Sequence, residues 1–174
     1  MLYFPGRFQP PHYGHIKKIS LVQEVFKENL KLLISVSKEN DFYNPLTKEE
    51  VVDLIKSYGV KCDYEFLYSP FEILKRIKKS DKIITGSYKK HLIYKILNKN
   101  SIYLPREEIY GKEVSSTYIK ELIIYNKIEE ALKYVNYKTL YKLVEKKEKN
   151  ILLKHFSDKK GKNLLGKMIY KYRF

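Results

Sequence analysis

Cysteine is nearly absent from this chain: Cys62 stands alone among 174 residues, so no internal disulfide can brace the fold. No apolar run approaches the roughly 18 to 20 uncharged residues that cross a bilayer, which excludes a membrane-spanning helix. With only 7 Gly and 6 Pro, the composition is neither collagenous nor low-complexity. Acidic residues are scarce beside basic ones: 20 Asp plus Glu face 35 Lys plus Arg, for a net charge of +15. What is left is a globular chain, 44% hydrophobic and long enough to bury a continuous core. Its opening, Met1-Leu2-Tyr3-Phe4-Pro5-Gly6-Arg7, lacks the charged-then-apolar order of a signal peptide, so the expected setting is the cytoplasm.

The excess of positive charge suggests a polyanionic partner, such as nucleic acid, nucleotide phosphates or a membrane surface. An AT-rich genome, which loads Lys, Ile, Tyr and Asn into any product, would give the same balance. The charge is unevenly placed: from Lys138 to Phe174, eleven Lys and Arg173 face only Glu145, Glu148 and Asp158. This basic stretch is a candidate contact for nucleic acid, a cover for a sheet edge, or an interface between subunits of a homo-oligomer.

Apolar runs rich in β-branched and aromatic residues occur at Leu2–Phe4, Leu32–Val36, Tyr64–Tyr68, Lys82–Thr85 and Ser101–Leu104. Helical periodicity fills the gaps at Ile16–Phe26, Glu49–Tyr58, Phe71–Ile77 and Tyr88–Leu97. Such alternation predicts an α/β fold, an open Rossmann-like parallel sheet of about five strands with helices on both faces. Thr47 and Glu50 have capping-box spacing, and Ser115-Ser116-Thr117 precedes the periodic Ile119, Leu122 and Ile123, so both read as helix starts. Beyond Tyr125 the pattern is wholly helical.

The segment Gly6-Arg7-Phe8-Gln9-Pro10-Pro11-His12-Tyr13-Gly14-His15 lies between the first strand and the first helix. Open parallel sheets bind ligands at the carboxyl ends of their strands, where a helix N-terminus favours anions. Gly6 permits close backbone approach, and Gly14 leaves room for a phosphate chain. His12 and His15, one helical turn apart, can turn two N–H donors toward one set of phosphate oxygens, with Arg7 adding a fixed fork. Zinc ligation is the rival reading of the two His, but no Cys or third His lies near them. A structural role, with His12 capping the helix and His15 packing, is the other.

Gly6-x-Phe8-x-Pro10-x-His12-x-Gly14-His15 resembles the first signature of the HxGH nucleotidyltransferase superfamily, and the Gly-Arg-Phe-Gln-Pro form is similar to archaeal nicotinamide mononucleotide adenylyltransferases. Val114-Ser115-Ser116-Thr117-Tyr118-Ile119-Lys120 resembles the family's helix-opening Ile-Ser-x-Thr-x-x-Arg element. Asn44-Pro45-Leu46-Thr47-x-x-Glu50 is similar to a third element, and Thr85-Gly86-Ser87 falls where relatives place the loop beside adenosine. The resemblance covers residues 1–135, which it marks as the nucleotidyltransferase domain, with 136–174 as a basic helical C-terminal extension. It implies transfer of AMP from ATP, with Mg²⁺ carried mainly on the phosphates, to a small phosphorylated acceptor, nicotinamide mononucleotide first. The implied catalytic residues are His12, His15 and Lys120. The implied ATP-binding residues are Gly6, Arg7, Phe8, Gly14, Gly86, Ser87, Ser115, Ser116 and Thr117, with no metal-ligating residue.

Three departures stand out. The family's second-signature Arg is Lys120, the Arg that follows the third-element Glu is Val51, and no Trp is present to stack on nicotinamide. Tyr68 or Phe71 could supply the ring instead. These departures motivate two alternatives: an adenylyl- or cytidylyltransferase for another small acceptor, or a nucleotide-sensing or nucleic-acid-binding protein on the same fold.

Overall fold

A computed structural model of the protein describes residues 1–69 and 71–153. Five parallel strands, β1 (Leu2–Gly6), β2 (Leu30–Ser35), β3 (Asp63–Leu67), β4 (Lys82–Thr85) and β5 (Asn100–Tyr103), form one sheet in the order β3-β2-β1-β4-β5. Helices α1 (Tyr13–Phe26), α2 (Lys48–Lys56), α3 (Glu72–Arg76) and α4 (Tyr88–Ile96) connect them. The expected strands and helices are all present, with no end moved by more than three residues.

The strands are apolar on both faces because helices cover both. Leu2, Phe4, Leu32, Ile34 and Ile84 pack with Ile19 and Val22 of α1 and with Val51, Leu54 and Ile55 of α2. The alternate residues Leu33, Leu67 and Ile83 face the other way, onto Ile73, Ile77 and Tyr94 around α3 and α4. Register fixes the top of the sheet: Gly6 of β1 pairs with Ile34 of β2, and Thr85 of β4 with Tyr103 of β5. Strand order reverses at β1, which places the loops after β1 and β4 side by side at the carboxyl ends.

After β5 the chain forms a hairpin of two-residue strands, β6 (Glu108–Ile109) and β7 (Lys112–Glu113), turning on Tyr110 and Gly111 at positive φ. Sequence periodicity gave no sign of it, since two residues are too short to alternate. Helices α5 (Ser116–Ile124), α6 (Ile128–Leu132) and α7 (Tyr137–Glu148) follow. They share one core, from Val114 through Ile119, Ile123 and Tyr134 to Leu143 and Leu152, which runs across residue 135. Helix α7 is further held to α2 by Lys138–Asp53 at 2.7 Å and the buried Lys146 on Glu50 at 2.8 Å. The described part of the expected extension is thus packed with the rest of the chain. The expected turn at Ser157–Lys162 and the remaining basic stretch, with its nucleic-acid contact, lie outside the described residues.

No helix among the described residues is long and apolar enough to cross a membrane.

Candidate active site

Two loops are tied together at the carboxyl edge of the sheet. The buried Gln9 donates its amide to the Leu46 carbonyl at 2.9 Å and accepts from the Leu46 N–H at 3.0 Å, joining the loop after β1 to the one before α2. Thr47 and Glu50 then form the expected capping box: the Thr47 hydroxyl accepts from Glu50 N–H at 3.2 Å, and the Glu50 carboxylate from Thr47 N–H at 2.9 Å. From the other side, the Ser116 hydroxyl donates to the Pro10 carbonyl at 3.0 Å, which anchors the start of α5 on the first loop.

Between these parts lies a cavity of about 270 Å³ whose wall includes every candidate residue: Gly6, Arg7, Phe8, His12, Gly14, His15, Gly86, Ser87, Ser115, Ser116, Thr117 and Lys120. The N-terminal ends of α1, α4 and α5 converge on it, so their backbone dipoles all favour an anion there. A groove of about 860 Å³ lies at the opposite end of the strands, between Lys27 and Lys61; its Cys62 thiol is pushed up to about 11 by burial and stays protonated.

His12 occupies the N-cap position of α1, yet its side chain makes no cap bond. The imidazoles of His12 and His15 stack with centroids 3.8 Å apart, and the shielded Nδ1 of each has no hydrogen-bond partner. Buried polar atoms are rarely left so. Burial, aided by the nearby charges of Lys18 and Arg106, holds His15 down at about 3 and His12 well below the ordinary imidazole range. Both rings are therefore neutral near pH 7, and fixed positive charge must come from elsewhere in the wall.

The two glycines serve the side chains rather than the ligand. A Cβ on Gly6 would lie 2.8 Å from the Phe8 ring, and one on Gly14 would lie 3.1 Å from the His12 ring. Phe8 itself adopts φ 52°, is 1% exposed, and packs edge-on against Phe4 and His15. Its ring supports His15 from behind the cavity, since a side chain this buried has little surface for a nucleotide. The hydroxyls at the start of α5 are likewise engaged: Ser115 caps Tyr118 N–H at 3.1 Å and Ser116 is bound to Pro10, which leaves Thr117 exposed. Ser87 caps α4 by accepting from Lys90 N–H at 3.4 Å.

Lys120 is 2% exposed, with its ammonium on the Tyr43 carbonyl at 3.3 Å and 4.6 Å from the Phe42 ring centroid. Burial and the neighbouring Arg7 bring it down to about 7. Lys18, Tyr43, Lys90, Arg106 and Glu107 also line the cavity and were missed in the sequence. Only Lys18 carried a signal, as the next step of the three-residue spacing His12, His15, Lys18. Among the described residues, no group of three His, Cys, Asp or Glu is placed to hold a metal ion.

A family model described as cytidylyltransferase-like matches residues 3–128. The chain is 22% identical over 138 residues to nicotinamide-nucleotide adenylyltransferase 1 of Sulfolobus acidocaldarius, covering 72% of this chain and 79% of that protein. Against the nicotinamide-nucleotide adenylyltransferase of Saccharolobus solfataricus the identity is 28% over 136 residues, covering 71% and 78%. Among solved structures, a bifunctional NMN adenylyltransferase/ADP ribose pyrophosphatase from Francisella tularensis superposes with a TM-score of 0.63 at 17% identity. It is matched over 83% of this chain and 49% of its own length, so the chain spans about half of it. The Francisella protein has also been solved with AMP and a manganese ion.

Proposed function

The chain belongs to the cytidylyltransferase-like family, and from that membership we propose that it transfers the adenylyl group of ATP to the phosphate of a mononucleotide, nicotinamide mononucleotide first, to give NAD and pyrophosphate. The observation that carries the reading is the stacked His12 and His15 pair in the wall of a cavity also lined by Arg7, Lys18 and Lys120.

A phosphate oxygen of the acceptor attacks the α-phosphorus of ATP in line. As that O–P bond forms, the bond from the α-phosphorus to the bridging oxygen breaks, and pyrophosphate leaves with its divalent ion. No side chain becomes covalently attached, so catalysis is positioning and stabilisation of charge. His12 and His15 each donate one N–H to oxygens around the reacting phosphorus. Lys120 and the start of α5 hold the departing phosphates, and the exposed Arg7 meets a phosphate at the mouth. The Francisella protein complexed with AMP and a manganese ion is consistent with use of a divalent ion, Mg²⁺ carried on the ATP phosphates in this reading.

The acceptor site in this reading is a second cavity of about 310 Å³, which shares Gln9 with the first and is lined by Ser35, Asn40, Thr47 and Tyr68. Tyr68 supplies the aromatic face: the residue is 62% exposed, and Lys48 Nζ lies 3.3 Å from its hydroxyl. Phe71, the other candidate, is not in the lining. Tyr68→Ala is expected to raise the acceptor KM about tenfold, the worth of one stacked ring, while the ATP KM stays within about twofold. An unchanged acceptor KM would remove Tyr68 from the site.

The activity itself is tested by pyrophosphate release from MgATP with nicotinamide mononucleotide, nicotinic acid mononucleotide, phosphopantetheine and flavin mononucleotide in parallel. Release with nicotinamide mononucleotide is expected. Release with another acceptor alone would reassign the substrate, and release with none would remove the proposal.

A further inference from the structure

Charge buried in the nucleotide cavity is carried by two lysines on opposite walls, Lys120 from α5 and Lys18 from α1. Lys18 is 5% exposed, and its ammonium donates to the Leu104 carbonyl at 3.1 Å. It sits tight against the turn after β4, since a Cβ on Gly86 would stand 3.0 Å from Nζ. Among the described residues no carboxylate lies within ion-pair distance of it: Glu107, the nearest acidic group in the wall, pairs with Lys17 at 3.1 Å.

An ammonium has three N–H donors, and a single neutral carbonyl leaves two of them without a partner, while Glu107 and Glu113 favour the charge only from beyond ion-pair distance. Burying a cation without a counter-anion is costly, and a helix face that packs Ile19 and Val22 could have used an apolar residue here. Lys18 also follows His15 by one turn, and it is the foremost charge lowering the His15 pKa, so it acts on the phosphate end of the cavity. With both imidazoles neutral, the four or so negative charges of ATP need fixed cations that the His pair cannot supply.

We propose that Lys18 is a further phosphate-contacting residue of the nucleotide site, its ammonium binding an oxygen of the ATP polyphosphate chain from the α1 wall while Lys120 binds from the α5 wall. The proposal rests on the reading of this cavity as the nucleotide site. It adds a residue of α1 one turn beyond His15.

The test is calorimetric titration of the full chain, and of its Lys18→Gln and Lys18→Met variants, with ATP, inorganic pyrophosphate and adenosine at two salt concentrations. Both variants are expected to lose about ten- to hundredfold in affinity for ATP and pyrophosphate, the range of a charge-assisted bond, and to bind pyrophosphate with a weaker salt dependence. Adenosine, which has no phosphate, should bind within about twofold of wild type. Gln can still donate to the Leu104 carbonyl, so a Gln variant with wild-type ATP affinity would make Lys18 a tie between α1 and the residue after β5 and overturn the proposal. Equal loss of adenosine binding would overturn it as well. Wild-type protein that binds neither ATP nor pyrophosphate would remove the nucleotide-site reading itself, and that outcome is seen before any variant is made. If the Met variant does not fold, the Gln variant decides alone.

Discussion

His15→Ala is expected to lower kcat for adenylyl transfer by about 10²- to 10³-fold, the loss typical of one donor aimed at charge that develops in a transition state. The ATP KM should change far less, because the oxygens around the α-phosphorus gain negative character only as the acceptor attacks. The geometry makes the His15 contribution hard to replace: its ring is stacked on His12 at 3.8 Å and backed by Phe8 at 5.0 Å, so no water or neighbouring side chain can take its place without a rearrangement. Neutrality is part of the argument. A neutral imidazole offers one N–H and one lone pair, and burial keeps His15 neutral down to about pH 3 in the free protein. The ring proton signals of His15 are therefore expected not to titrate between about pH 5 and 8. Removing the ring also leaves a void, costing about 1 to 3 kcal/mol, so the melting temperature must be measured with the rate. A folded His15→Ala protein with full activity would remove the mechanism.

How much of this could be read from the sequence depended on whether the signal was local. Alternating apolar runs and the Thr47–Glu50 box located strands and helix starts to within a few residues, because hydrophobic period and capping are set by neighbours in the chain. The loop from Gly6 to His15 was legible for the same reason: its residues are contiguous. The tertiary ties were not, among them Gln9 on Leu46, Ser116 on Pro10 and Lys146 on Glu50, each joining segments 37 or more residues apart. Those ties explain two differences. Ser116 was expected to face phosphate, whereas its hydroxyl proton is engaged by Pro10. Residue 135 was expected to close a domain, whereas Leu140 and Leu143 continue the same core. Phe8 shows the limit most sharply, since a phenylalanine at φ 52° reads as a loop aromatic until the packing against Gly6 is seen.

Lys120 gives the second large effect, and its sign follows from burial. Desolvation and the nearby Arg7 lower its ammonium to about 7, against the pull of Asp41 and Glu121, so near neutral pH a substantial fraction of free protein carries an uncharged amine. Only the ammonium can hold the departing pyrophosphate, and kcat/KM reports the protonation state of the free enzyme. The expected profile is therefore a fall in kcat/KM for ATP of about tenfold per pH unit above pH 7, as Lys120 loses its proton. The fall in kcat should come at higher pH, since bound polyphosphate favours the charged form and raises the pKa. Lys120→Met, which keeps the volume and removes the charge, is expected to lower kcat/KM about 10²-fold at pH 6. Lys120→Arg should retain activity and lose the limb near pH 7, because a guanidinium stays charged throughout and can remain over the Phe42 ring, 4.6 Å from the present ammonium. An Arg variant that keeps the same alkaline limb would assign that limb to another group, and a Met variant as active as wild type would place the pyrophosphate elsewhere.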